Sequence, residues 1–425
     1  MRALAVLLGL LAPCSGEDRR VVSSGLTQRT GHGLAESGQT GSVPAGVSLD
    51  GPITSNQAVA IALWNNKTLQ TDLAALGFAE ADLVDAKLLR NPLLQILFPA
   101  GPKRFELFLS MPVELLWQRP KRIRLAEGSL HQLSEALVQN GLNLARDVKL
   151  AYADALLAED RLRVASGSAE LRGKIVEFSE RRLRAGDIGQ TEVQALRVEA
   201  QIAADQRELF RDGRRVAQER LRGWLGLPRL QSDLQLVAED KPVSLPPNLA
   251  EVARQSRPDL RAAQLAIDAA KQRVAWEKSR WAVIAPGLSS KGSGTTPIHS
   301  SPALSAEIPI LNRNQGGIER ARAELRRAEA AHIALLDQVD SELRQALAQW
   351  QQAVRSIERV RTQILPAITE SVNLAERSFR QGDSSRLNVM EATRQLYDAQ
   401  AREVEALALT RRAWAELERS AGKTL

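Results

Sequence analysis

The feature that most constrains this chain is a short segment that occurs twice, once in each half. Residues 179–196 read SERRLRAGDIGQTEVQAL and residues 375–392 read AERSFRQGDSSRLNVMEA, with six identities in 18 positions. Chance would give about one, with average residue usage as the background. The two glycines, Gly186 and Gly382, lie 196 residues apart. Solenoid repeats are far shorter, roughly 20–50 residues, so the spacing predicts a duplicated half-molecule.

The composition favours long helices packed along apolar seams. Of the 425 residues, 44% are hydrophobic and only 4% are aromatic. Such Ala-, Leu-, Arg- and Glu-rich chains are typical of coiled coils. A strict seven-residue repeat predicts left-handed packing, and three rows follow it: Leu130, Leu137, Leu144 and Ala151; Leu325, Val339, Ala346, Ala353 and Val360; and Leu336, Leu343, Trp350, Ile357 and Ile364.

The net charge of +7 raises the question of nucleic-acid binding. The arginines alternate with glutamates, as in IERARAELRRAEAA, and no aromatic residues are interleaved for base stacking. This pattern favours solvated helix faces with i,i+4 ion pairs over a nucleic-acid surface. No nucleic-acid partner is expected.

The N-terminus predicts export from the cytoplasm. One arginine precedes an apolar run that suits a signal peptide at residues 1–14, and the only cysteine, Cys14, follows at once. Leu11-Ala12-Pro13-Cys14 resembles a lipoprotein cleavage box, although Pro13 departs from it. Cys14 is therefore either a lipidation site or an incidental residue after a plain signal peptide. A single cysteine forms no disulfide within the chain.

The remaining sequence predicts a flexible arm and two structural repeats. Residues 15–53 are rich in Gly, Ser and Thr and show no periodicity, which indicates the arm. The repeats cover residues 54–245 and 246–425. No later stretch reaches about 18 consecutive apolar residues, the length of a transmembrane helix.

Each repeat is predicted to contain a helix, a β-hairpin, a long helix, a tight turn and a returning helix. The prolines and the two-residue alternation of residues 91–120 and 283–311 indicate the hairpins. The first helix is expected from about Thr54 to Arg90, and the long helix of the first repeat from about Lys121. At the turns, Gly186 and Gly382 should be left-handed. Asp187 and Asp383, or the Ser or Thr that follows, should cap the next helix.

The sequence offers no catalytic, cofactor-binding or metal-binding constellation, so no enzyme activity and no cofactor are expected. The four histidines are far apart and match no zinc-site spacing. Two functions remain open at this point. One is a passive export duct, and the other is an exported coiled-coil scaffold without a pore.

These motifs together resemble the TolC family of outer-membrane efflux proteins. The resemblance rests on the duplicated R-x-G-D tips, on RPDLRAA at the start of the second repeat, and on IPILNRNQGGIERARAEL after the second hairpin. PILNRNQG is most similar to the CzcC-like branch, which serves heavy-metal cation pumps. The segment NNKTLQ departs from the family because Lys67 stands where proline is usual, and the hairpin around Ala100 is short.

The resemblance implies a fold and a set of partners. The fold would be mainly α-helical with a membrane β-barrel portion. Three subunits would each give four strands to one twelve-stranded barrel in outer-membrane lipid, and their helices would form a periplasmic tunnel. The partners would be a periplasmic membrane-fusion adaptor and an inner-membrane pump, of the resistance-nodulation-division type. The function implied is a passive exit duct for metal cations or drugs.

The resemblance also implies roles for particular residues. The tips that meet the adaptor would consist of Arg184, Gly186, Asp187, Arg380, Gly382 and Asp383. The periplasmic gate would place Asn388 and Glu391 in the tunnel entrance, and Glu192 would brace them. Phe379 stands where an aromatic hydroxyl usually completes the brace, so a looser resting closure is expected.

Overall fold

The structure of the chain is a computed structural model. It describes residues 17–35, 43–44, 47–49, 51–98, 105–113, 115–230, 232–238, 245–281, 283–292, 298–307 and 309–425. The predicted signal peptide, Cys14 and the tip of the predicted hairpin around Ala100 lie outside these residues. Within them, no helix is long and apolar enough to cross a membrane.

The two repeats have matching elements. The first contains α2 (Ser55–Asn65), α3 (Lys67–Lys87), β1 (Leu93–Leu97), β2 (Phe105–Ser110), α4 (Leu115–Ala185) and α5 (Gln190–Leu225). The second contains α6 (Leu249–Ser256), α7 (Pro258–Ser279), β3 (Ile284–Gly292), β4 (His299–Ala306), α8 (Gln315–Arg359), a π-helix (Val360–Ile364), α9 (Leu365–Gln381) and α10 (Arg386–Ala421). The predicted order of elements is confirmed.

These elements form two compact units, each with residues from both repeats. The first unit comprises Met1–Gly25, Thr71–Gln139 and Pro258–Gln338 as far as they are described, and includes the four strands. The second comprises Leu26–Gln70, Asn140–Arg257 and Val339–Leu425, and includes both tight turns.

The four strands form one antiparallel sheet in the order β1-β2-β3-β4. Because directly paired residues share a face, the register assigns each side chain to one side. One face is mostly apolar and includes Ile96, Leu107, Leu109, Leu288 and Leu304, but it also carries Ser290 and Ser300, whose hydroxyl oxygens lie 2.8 Å apart. The opposite face carries most of the polar residues, as the alternation in β2 predicts, together with a few apolar ones.

On the polar face, Lys291 Nζ lies 3.0 Å from a carboxylate oxygen of Glu106. The paired positions His299, Lys291 and Glu106 continue one row across β4, β3 and β2. Leu93, Leu97 and Phe108 also lie on this face, so the face is not uniformly polar.

Three sequence predictions require correction. First, the arm expected at residues 15–53 contains a helix, α1 (Glu17–Thr30), in which Val22 and Leu26 are fully buried. The buried apolar side of this helix is a single i,i+4 pair, which is too short a stripe to stand out among Ser, Thr and Gly.

Second, the helix expected to run unbroken from Thr54 to Arg90 divides at Asn66. Thr54 and Gln57 form a capping box at its start, which agrees with the expected beginning of the helix near Thr54. Asn66 then has φ −63° and ψ 119°, and Arg257 between α6 and α7 has φ −70° and ψ 121°. The same break therefore occurs in both repeats, with Lys67 where the second repeat has Pro258. Proline is favoured at the first position of a helix, but the break before Lys67 shows that the same backbone forms without proline.

Third, α4 begins at Leu115, not near Lys121, and includes Pro120. Proline lacks the N–H that would bond four residues back, but near the start of a helix this costs a single hydrogen bond. The seven-residue row of α4 is confirmed, because Leu130, Leu137, Leu144 and Ala151 are all buried.

The long helix of the second repeat contains a π-helix next to Pro366. The Leu365 N–H donates to the Val360 carbonyl five residues back, directly before Pro366, which has no N–H to donate. Val339, Ala346, Ala353 and Val360 are buried as predicted. Seven and fourteen residues further on, Ala367 and Leu374 are exposed, and Ile368 and Ala375 are half-buried instead. The extra residue in the wide turn displaces the stripe by one position.

The two returning helices, α5 and α10, have the same length and the same ends. Each has 36 residues. Gly226 follows α5 with φ +71° and Gly422 follows α10 with φ +77°, again 196 residues apart. A Cβ on Gly226 would lie 2.5 Å from the Asn65 carbonyl oxygen, and one on Gly422 would lie 2.9 Å from Arg257 Cα. Each helix end thus packs on the break between the two short helices of its own repeat.

We predict that Gly226→Ala and Gly422→Ala destabilise the protein more than Gly186→Ala does. All three positions have positive φ, which costs about 1–2 kcal/mol for a residue with a Cβ. At Gly226 and Gly422 the methyl group also overlaps backbone, which adds about 1–3 kcal/mol, whereas nothing lies within 4 Å at Gly186. Thermal unfolding of the purified full chain, followed by circular dichroism, measures the difference. Equal melting temperatures for the three variants would contradict it.

Candidate periplasmic gate and helical tips

Both predicted tips are closed by the same backbone motif. Gly186 has φ +84°, its N–H donates to the Leu183 carbonyl at 3.0 Å, and the Asp187 N–H donates to the Arg182 carbonyl at 2.9 Å. At the second tip Gly382 has φ +82°, with equivalent bonds to Phe379 at 3.1 Å and from Asp383 to Ser378 at 2.9 Å. Two such bonds satisfy the last carbonyls of a helix, and the left-handed residue between them favours glycine. The predicted glycine conformation is confirmed at both tips.

Of the predicted caps, Asp187 and Asp383 were wrong, but the serine alternative is confirmed in position at the second tip, where Ser385 is the N-cap of α10. The N-cap positions are Gly189 for α5 and Ser385 for α10, and neither provides a side-chain hydrogen bond. Each aspartate lies two residues before the cap of its own tip, because the turn continues for two more residues before the next helix begins. Their backbone N–H groups complete the end of the preceding helix instead.

All six predicted tip residues are exposed to solvent in the single chain. Arg380 forms an ion pair with Glu376 one turn earlier, at 3.2 Å. Neither tip glycine has any heavy atom within 4 Å of the position of a Cβ, so the turns have open space on this side. The tips therefore combine a fixed backbone with accessible polar side chains.

The predicted gate residues lie beside these tips. Asn388 and Glu391 are in the first two turns of α10, and both are exposed. Glu192 is in the first turn of α5 and is exposed as well. Among the hydrogen bonds and ion pairs of the described residues, none joins Glu192 to Asn388 or Glu391. Phe379 is 41% exposed at the end of α9. The brace is thus not formed within the single chain.

Glu391 is engaged by Arg394, a residue that the sequence analysis missed. Arg394 Nη2 and Nε donate to the two carboxylate oxygens of Glu391 at 2.6 and 2.9 Å, and its Nη1 donates to Asp398 at 3.0 Å. The Arg394 hydrogen bonds, and the charge of Arg172 further away, lower the pKa of Glu391 below its ordinary value. The signal was present in the sequence, because residues three and four apart on a helix are neighbours.

A second ion pair lies close to this group. Arg172 of α4 donates to Glu199 of α5 at 3.1 Å. The charge of Glu199 raises the pKa of Arg394, after the larger effects of Glu391 and Asp398. Five charged groups from three helices therefore interact here, two basic and three acidic.

The site contains no arrangement that indicates catalysis or metal binding. Within the described ranges, no group of three His, Cys, Asp or Glu side chains is placed to hold a metal ion. His299 lies on the sheet and His332 is half-buried on α8 with its Nδ1 unbonded.

The chain is similar to proteins of known name across most of its length. It is 24% identical to the cobalt-zinc-cadmium resistance protein CzcC of Cupriavidus metallidurans over 381 residues, which cover 88% of this chain and 91% of the relative. This similarity confirms the resemblance to the CzcC-like branch.

Solved structures have the same fold. The crystal structure of CusC, in work on transmembrane channel formation, superposes with a TM-score of 0.73 at 19% identity, and covers 87% of this chain and 92% of that one. The outer membrane protein VceC of Vibrio cholerae superposes with a TM-score of 0.70 at 15% identity, with 87% and 96% covered.

A family model described as outer membrane efflux protein matches residues 100–227 and 249–423. One matched range lies in each repeat, and together they cover more than two thirds of the chain. The chain therefore belongs to the outer membrane efflux protein family.

Proposed function

We propose that three copies of this chain assemble into the exit duct of a tripartite pump that removes divalent metal cations from the cell. Family membership makes the chain an outer-membrane efflux channel, not an enzyme, and favours the duct over a scaffold without a pore. The trimer, the gate and the metal substrate go beyond that assignment. The observation that supports the trimer best is the four-stranded sheet.

The sheet supports a trimer because β1 and β4 are its outer strands and each pairs on one side only. Unpaired strand edges are not tolerated in lipid, so closure requires strands from other chains. Three copies would supply twelve strands. The apolar face with Leu107, Leu109 and Leu288 suits lipid, and the Glu106–Lys291 ion pair suits a wet lumen.

The tips support a contact with a periplasmic adaptor. Among the described residues of the second unit, the tips are the two places where a left-handed glycine joins one long helix to the next. Their side chains are exposed, and the open space beside each glycine allows another helix to approach. The adaptor would connect the duct to an inner-membrane pump, which we propose is of the resistance-nodulation-division type.

The substrate proposal rests on the similarity to CzcC, which is named for resistance to cobalt, zinc and cadmium. A duct of this kind does not select its cargo by coordination, and no metal-binding cluster is needed. An acidic entrance would favour cations by long-range attraction. In a trimer, Glu391 would recur three times around the entrance, with Asn388 one turn nearer the tip.

We predict that Gly382→Trp and Gly186→Trp abolish efflux but leave a folded trimer. No heavy atom lies within 4 Å of the Cβ position at either glycine, so the indole should project from the open side of the tip, where the adaptor is proposed to approach. Metal resistance of cells that carry the complete pump reports efflux, and a heat-modifiable trimer in the outer-membrane fraction reports assembly. Gly382→Ala is the matched control, and it should retain efflux.

Normal export by both tryptophan variants would show that the tips are only turns. A wild-type chain found as a soluble periplasmic monomer would reject the proposed duct itself.

We predict that Glu391→Lys weakens or reverses the cation preference of the pore. Three lysines in place of three carboxylates change the sign of the entrance charge, and a converging field in a narrow wet pore acts strongly on small ions. Reversal potentials in planar bilayers under a salt gradient measure the change. Asn388→Asp, which adds a second acidic ring, should move the preference in the opposite direction. An unchanged preference in Glu391→Lys would remove this residue from the gate.

We also predict that Cys14 is the lipid attachment site of the mature chain. Cys14→Ser should then abolish incorporation of radiolabelled fatty acid and change the mature mass. Its position directly after an apolar export segment supports this proposal. Absence of label in the wild type would leave Cys14 as an incidental residue after a plain signal peptide.

A further inference from the structure

We propose that Arg394 sets the charge that Glu391 presents to ions, and is therefore a residue that determines the selectivity of the entrance. This inference rests on the proposed gate role of Glu391. It goes further, because it assigns a function to a residue that the tips and the acidic ring do not include.

The geometry of the pair is that of a planar fork. Arg394 donates to Glu391 from Nη2 at 2.6 Å and from Nε at 2.9 Å, so both carboxylate oxygens are occupied. A bidentate guanidinium–carboxylate pair is shorter and more directional than a single contact. The third available nitrogen, Nη1, holds Asp398 at 3.0 Å. Arg394 thus bridges two acidic residues on one face of α10.

The pair is internal to one helix. Glu391, Arg394 and Asp398 are separated by three and four residues, so their contact survives any displacement of α10 as a rigid body. A latch between two helices would break when the helices separate, whereas this pair would move with the entrance. Its effect is therefore on the charge of the entrance in every state, not on the opening itself.

The surrounding charges leave this group slightly acidic. Arg172 and Glu199 form a neutral pair beside it, and Arg394 balances one of its two carboxylate partners. Each subunit therefore carries one net negative charge here. Loss of Arg394 would leave two, and would also free the oxygens of Glu391 to bind hydrated divalent cations, which prefer oxygen ligands.

The pair is also open to competition. The side chains of Glu391 and Arg394 are 51% and 31% exposed, and ion pairs with this exposure are weakened by water and salt. A cation that arrives at the entrance can therefore displace the guanidinium. Arg394 therefore reduces the charge of the acidic ring only until a cation displaces it. A buried ion pair would not allow this displacement.

The test uses the full-length trimer in planar bilayers, with Co²⁺ as the probe of free carboxylates. Two quantities are measured: the reversal potential in a potassium chloride gradient, and the Co²⁺ concentration that halves the conductance. The variants are Arg394→Gln, Glu391→Gln and the double variant, with Arg394→Lys to keep the charge without the fork. Arg402→Gln removes an exposed arginine eight residues further along α10 and is the matched control.

We expect Arg394→Gln to increase cation preference and to lower the half-blocking Co²⁺ concentration about tenfold, since three unscreened charges act on one ion. Glu391→Gln removes one charge per subunit in either background, so it should shift the reversal potential by a similar amount in both. It should raise the half-blocking Co²⁺ concentration only slightly in the wild type, where Arg394 occupies both oxygens, and strongly in the Arg394→Gln background. Arg394→Lys should be intermediate, and Arg402→Gln should resemble the wild type.

Two failures are distinguishable. If Glu391→Lys changes selectivity but Arg394→Gln does not, Glu391 is a gate residue and the screening role of Arg394 is rejected. If neither changes selectivity, the proposed gate itself is rejected. An equal effect of Arg402→Gln would show that any positive charge on α10 acts in the same way, which also overturns the specific role of Arg394.

Discussion

The interaction on which the second unit depends is the docking of each returning helix on the break between two short helices. In the first repeat, the Asn66 side chain donates to the Trp224 carbonyl at 3.1 Å, two residues before Gly226. In the second repeat, the Arg257 guanidinium reaches the Ser420 carbonyl at 3.4 Å, two residues before Gly422. Different side chains make the same connection at equivalent positions. The common requirement is a donor at the break and a glycine that lets the two backbones meet.

The second repeat makes this connection with a buried charge. Arg257 is 1% exposed, so its guanidinium must be compensated. Glu342 of α8 accepts from Arg257 at 3.0 Å and from Arg419 at 2.6 Å, and links three helices at one carboxylate. The first repeat uses a neutral amide and needs no such partner. Removal of Glu342 would leave a buried cation, which is far more costly than the loss of a surface ion pair.

The sequence predicted the architecture because its signals are local and repeated. Gly186 and Gly382 indicated the tips, and the seven-residue rows indicated the seams. The alternation in β2 indicated a strand. Other features depend on contacts that no local pattern records. The buried faces of Val22 and Leu26 depend on tertiary packing, and the break at Asn66 depends on a carbonyl 158 residues away. At the candidate gate, position could be predicted from the tip, but the Arg394 fork depends on rotamers that spacing alone does not fix.

The π-helix at Val360–Ile364 has a consequence for how the two parts of its helix are related. One additional residue rotates all later side chains by about 100° around the helix axis. The seven-residue pattern before Val360 therefore does not predict which positions are covered after Pro366, where Ile368 and Ala375 are the half-buried residues. The wide turn acts as a phase shift between two otherwise regular coiled-coil segments. It allows the segment that ends at the second tip to be matched to its neighbours independently of the segment that precedes it.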